Sequence, residues 1–159
     1  MSATPAERRL PSRRQAARLA AVQALYQWQE GEHAPAEIIE QFLSVRTSEA
    51  GEGGMRRDAD RPLFKDVVEG SVAHRGDLEQ IVAAALADGW TWTRIDRLVR
   101  AILLAGAYEL LHRKDVPVRV AINEYVEIAH AFYDQGEPSF VNSVLDRVAR
   151  QARASELTG

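Results

Sequence analysis

The stretch from Ile95 to Arg113, IDRLVRAILLAGAYELLHR, constrains this chain more than any other. It holds no proline, and as a helix it is apolar nearly all round, so it has no broad face to give to water. No apolar run in the chain approaches the roughly 20 residues that a membrane-spanning helix needs. The segment is therefore expected at the centre of a packed assembly of helices, with Gly106 allowing one neighbour to come close.

Amphipathic partners lie on both sides of it. Ser12-Arg13-Arg14-Gln15 has the S-x-x-Q form of a capping box, with Ser12 as the N-cap. From there the chain runs to Gly31 without a breaker, and Leu19, Val22 and Tyr26, flanked by Ala21, Leu25 and Trp28, keep the spacing of a buried helical face. Pro35 suits the first turn of a second helix with an apolar stripe of Ile38, Ile39, Phe42 and Leu43. Pro62 opens a third helix, and a fourth stops at Gly89. Thr93 and Asp96 offer caps for the central helix, and Pro117 ends the connection after it. A sixth helix covers 120–133, and Ser139 is expected to cap the last. Strand-like alternation is confined to a few residues around Val116–Val120, so the fold is expected to be all-α.

Residues 46–61 are the exception. Three glycines and eight charges with no apolar anchor predict a mobile loop between two helical lobes. The first eleven residues read as a flexible tail. They contain no apolar stretch of the kind a secretory signal needs, so a cytoplasmic protein is expected.

Composition removes several kinds of chemistry. At 159 residues one compact domain, 1–159, is expected, and without cysteine it has neither disulfides nor thiolate metal sites nor a thiol nucleophile. Glu127-x-x-His130 is the one metal-like spacing, and with no second such pair it reads as a surface pair. His74 and His112 fall at expected helix ends, where a cation favours the carbonyl pole. No phosphate-binding glycine loop and no nucleophile elbow is present. No catalytic residue, metal or cofactor is therefore nominated.

Charge supplies the remaining signal. Residues 1–18 hold five arginines (8, 9, 13, 14 and 18) against Glu7, a local +4 in a chain of net charge −3, which leaves −7 on the rest. A small basic pole on an acidic body suits one focused anionic contact. Arg14 and Arg18 stand four apart, Arg13 flanks them, and guanidinium groups at that pitch at a helix N-terminus can take phosphate oxygens. Both Arg14 and Arg18 are expected to be exposed. Tyr26 and Trp28 on the same helix could stack on bases or fill the core.

Five segments now acquire a collective meaning: A-A-V-Q-A-L-Y-Q-W-Q within 20–29, A-Y-E-L-L at 107–111, D-V-P at 115–117, V-A-I-N-E at 120–124 and F-V-N-S-V-L-D-R at 140–147. In that order and at those distances they resemble the NusB family of transcription antitermination factors, over about Ser12 to Val148. The resemblance implies about seven helices in two small bundles and no enzymatic activity. It also implies binding of the single-stranded boxA element of ribosomal RNA leader transcripts, together with the small-subunit ribosomal protein NusE, in the RNA polymerase antitermination complex. By matching position it nominates Arg13, Arg14, Arg18, Tyr26 and Phe140 for RNA binding. It leaves both monomer and homodimer open.

The chain departs from the family at 136–139, where an acid and a base are missing from their usual places, and at Val99, where members can carry an acid facing NusE. No NusE-contact residue is nominated. Two other readings compete. The same helical domain precedes a ribosomal RNA cytosine methyltransferase, which needs a cysteine that this chain lacks. A helix-turn-helix DNA binder would carry its base-reading residues on a recognition helix, whereas the basic pole here lies at the chain's start.

Overall fold

The computed structural model describes residues 12–44 and 55–153, which are helical with no strand. Helix α1 spans Arg13–Trp28, α2 Pro35–Ser44, α3 Arg61–Ala73, α4 Arg75–Ala84, α5 Arg97–His112, α6 Val118–Phe132 and α7 Glu137–Ala152. A 3-10 turn at Trp92–Arg94 precedes α5. No helix among these residues is long and apolar enough to cross a membrane.

Helices α1, α2 and α3 pack on one another, as do α5, α6 and α7, while α5 also reaches α1, α3 and α4. The expected central helix is therefore α5, and every residue from Ala101 to Leu110 on it is buried. Its apolar girth lets it face both groups, so the buried side chains join into one continuous core. Gly106 has the expected role: a Cβ built there would lie 2.8 Å from Leu145 Cδ1, so α5 and α7 meet backbone to side chain.

The helix starts follow from local chemistry. Ser12 Oγ accepts from Gln15 N–H at 2.9 Å. The reciprocal half of the capping box is absent, because the Gln15 amide donates instead to Glu124 on α6 at 3.3 Å. Asp60 caps α3 by accepting from Leu63 N–H at 3.0 Å, with Pro62 in the first turn.

Other boundaries differ from expectation. Asp96 sits at the N-cap of α5, but its carboxylate accepts from the Tyr133 hydroxyl, and Thr93 lies in the 3-10 turn. Ser139 lies inside α7, which Gly136 and Pro138 start earlier. Val118 already belongs to α6, so the alternation at 116–120 forms no strand.

The expected tail (1–11, with Arg8 and Arg9) and loop positions 46–54 lie outside the described residues. Residues 55–61 overturn the reading of a loop without an apolar anchor. Met55 and Ala59 are buried in the core, and Asp60 N–H donates to the Arg13 carbonyl at 3.1 Å.

Three tyrosines join helices by donating to carboxylates: Tyr108 to Asp66 at 2.8 Å, Tyr125 to Glu109, and Tyr133 to Asp96. Burial and then the Asp66 hydrogen bond push Tyr108 up to about 12. Burial with the Glu109 charge holds Tyr125 well above its ordinary value, and burial with the Asp96 hydrogen bond raises Tyr133. Above the ordinary phenol value the unfolded chain releases protons that the fold retains, so stability falls as pH rises beyond about 10. Absorbance of tyrosinate should accordingly rise late, together with loss of helical ellipticity. Complete ionisation near pH 10 with the fold intact would contradict these contacts.

Candidate nucleic-acid interface

The N-terminal turns of α1 present their arginines in three different settings. Arg13 is exposed, and its Nε–H donates to the Asp58 carbonyl at 2.8 Å. Arg14 keeps half of its side chain in solvent and faces Asp60 at 3.7 Å, a loose surface pair. Arg18 corrects the sequence reading, since its side chain is only 1% exposed.

Arg18 is enclosed because the face of α1 that it shares with Ala21, Val22 and Leu25 turns inward one helical turn after Arg14. Its guanidinium forks onto Glu109 of α5, with Nε at 2.7 Å from Oε2 and NH2 at 3.0 Å from Oε1. NH1 reaches Glu124 of α6 at 3.2 Å. Glu109 is fully buried and also accepts from the Tyr125 hydroxyl. The group ties α1, α5 and α6 together at a single point. Burial opposes the Arg18 charge, yet the hydrogen bond and charge of Glu109 outweigh it and hold Arg18 above its ordinary value. Glu124 moves up through burial, which the Arg18 charge opposes. With all three of its nitrogens directed at carboxylates, Arg18 has no free edge for phosphate.

Tyr26 is 39% exposed at the far end of α1, about 18 Å of helix rise from Arg14. It lines a shallow groove of about 480 Å³ with Gln23, Gln27, Glu30, Phe42, Leu98 and Phe132. Phe140, half-buried in the first turns of α7, packs against Trp90 with centroids 5.3 Å apart. The five nominated residues thus divide. Arg13 and Arg14 share one exposed pole, Arg18 lies beneath it as a structural ion, and Tyr26 and Phe140 stand on other parts of the surface. Trp28 is half-buried with the Arg75 guanidinium 5.0 Å from its ring, so it packs on the α4 start.

Sequence reasoning missed the acids that answer this basic pole. Asp60 faces Arg14, Glu109 beneath them holds Arg18, and the Asp58 carboxylate, beside the carbonyl that takes Arg13, is engaged by Arg56 at 2.6 Å. A signal for Glu109 existed: it is the lone acid in an otherwise apolar turn of α5, and a charge buried there needs a cationic partner. Glu127 and His130 are exposed, and no group of three or more metal-ligating side chains occurs among the described residues. His74 and His112 do sit at helix ends, where they stack with centroids 4.1 Å apart.

Comparison with known proteins gives this geometry a context. The family model for the NusB family matches residues 15–150. The transcription antitermination protein NusB of Rhizobium etli is 49% identical over 143 residues, spanning 90% of this chain and 89% of that protein. Among solved structures, Thermotoga maritima NusB superposes with a TM-score of 0.73 at 24% identity, covering 94% of this chain and all of that one. The structure of the antitermination factors NusB and NusE in complex with dsRNA aligns with a TM-score of 0.68 at 21% identity, over 86% of this chain and 96% of that one. These two likenesses establish the shared fold.

Proposed function

The chain belongs to the NusB family, and on that premise we propose that it is a transcription antitermination factor that binds boxA RNA of ribosomal RNA leader transcripts together with NusE. In this role it acts in the cytoplasm as one RNA-binding unit of the RNA polymerase antitermination complex, by binding and not by catalysis. The observation that carries the reading is the match to relatives named for antitermination along nearly the whole chain. The exposed Arg13 and Arg14 at the start of α1 support it physically, because two guanidinium groups beside a helix N-terminus suit a phosphate backbone. Asp60 beside Arg14 tempers the positive field, in keeping with weak binding by this chain alone.

The test is a comparison of three labelled probes: boxA RNA, duplex DNA of the same sequence and an unrelated single-stranded RNA. Preference for boxA RNA is expected. Equal binding to all three, or preference for the duplex, would overturn the reading in favour of a nonspecific or DNA-binding role. Arg14→Ala should weaken boxA binding and flatten the plot of log K against log salt by about 0.7, the contribution of one phosphate on a single strand. Its thermal stability should stay within about 0.5 kcal/mol of the parent, as for other exposed substitutions. An unchanged salt slope would remove Arg14 from the RNA contact.

A further inference from the structure

Among the large apolar side chains of the described residues, Trp90 is the most exposed, at 50%. Apolar helix packing does not explain it, since it stands on the connection between α4 and α5 and not on a helix. That connection is well fixed. Gly89 turns the chain with φ of +91°, Trp90 N–H donates to the Ala87 carbonyl at 3.1 Å, and the 3-10 turn follows at Trp92. At its start, Arg147 of α7 donates from NH1 to the Ala85 carbonyl at 2.9 Å, tying the connection to α7. Phe140 of α7 packs against the Trp90 ring at 46° between planes, and half of Trp90 stays in solvent.

The charges around this aromatic pair contrast with those at the α1 pole. Arg94 touches the Gly89 carbonyl at 3.5 Å through NH1, and its side chain is exposed. Neither Arg94 nor Arg147 is in an ion pair among the described residues. Asp88 is the one acid in the stretch 87–94. A half-exposed indole beside an exposed guanidinium group that has no acidic partner is the combination by which proteins hold single-stranded nucleic acid, the ring taking a base face and the cation the backbone. An apolar protein partner would leave these arginines without a counter-charge.

We propose that Trp90, backed by Phe140 and flanked by Arg94, is a base-stacking ledge for single-stranded RNA. The inference rests on the RNA-binding reading above and adds a contact residue and its mode: sequence-tolerant stacking, not edge recognition. Trp90 takes the base, Phe140 fixes the angle of the indole, and Arg94 neutralises a neighbouring phosphate.

Anisotropy titration of a labelled single-stranded boxA RNA with the full chain and three variants tests this. Trp90→Ala should weaken binding by about 5-fold or more, the loss of one stacked base, without changing the salt slope. Trp90→Phe keeps an aromatic face and should recover most of that loss. Arg94→Ala should flatten the slope by about 0.7. If the parent binds RNA and Trp90→Ala binds as tightly, the ledge is refuted while the RNA-binding reading stands. If the parent fails to bind RNA, both fall. If Trp90→Ala keeps RNA affinity but loses affinity for NusE, the patch is a protein contact and the ledge is refuted.

Discussion

Arg18→Ala should cost about 3–5 kcal/mol of folding stability, far more than removal of an exposed helix-end arginine. The loss comes less from the attraction removed than from what remains. Glu109 would be left in a fully buried site without a cationic partner, with the Tyr125 hydroxyl still donating to it, and Glu124 would lose its cation. Thermal melting by circular dichroism should show a large drop for Arg18→Ala beside a near-parental value for Arg14→Ala. The variant Arg18→Met/Glu109→Leu/Tyr125→Phe, which also removes the buried hydroxyl that donates to Glu109, should recover much of the stability, because replacing a buried ion pair by apolar side chains of similar volume is often close to neutral. Parental melting of Arg18→Ala would mean that the ion pair contributes nothing to the fold. RNA affinity lost in Arg18→Ala therefore has to be read against its stability before it is assigned to contact.

Gly70→Ala should also be strongly destabilising, by about 1–3 kcal/mol, although alanine is the better helix former by roughly 1 kcal/mol. A Cβ at position 70 would fall 2.2 Å from the Tyr108 ring. That ring cannot swing aside freely, since its hydroxyl donates to Asp66 and it stacks on His112 with centroids 5.2 Å apart. Asp66 in turn accepts from Arg113 at 2.9 Å, so displacing the ring strains a polar chain linking α3 to the end of α5. Adding Tyr108→Leu to Gly70→Ala should relieve part of the cost. A Gly70→Ala protein as stable as the parent would show that α3 and α5 can separate without penalty.

How far the sequence disclosed this molecule depends on whether a signal was local. Ser12, Pro35, Pro62 and Gly106 each act on their own turn or on one neighbour, and their roles follow from residue type. The central position of α5 was equally readable, because a helix apolar all round can lie nowhere else. The fate of Arg18 was not. Arg14 and Arg18 share a helical face, but only Arg18 is level with the core, and its partner is 91 positions away. Spacing shows the face and not the depth along it. Met55 illustrates the converse: together with Ala59, and among charges, it anchors the chain that leads to the Asp60 cap. Asp96 had the right residue type for a cap, yet the hydroxyl of Tyr133, just past the end of α6, claims its carboxylate. Tertiary partners decided each of these cases.

The most direct test of joint RNA binding is titration of labelled boxA RNA with this chain alone, with NusE alone and with an equimolar mixture, at two salt concentrations. The mixture should bind more tightly than either protein. The chain alone should bind weakly and with a shallow salt dependence, since Arg14 faces Asp60 and Arg18 is committed to Glu109. Equal affinity with and without NusE would contradict joint recognition.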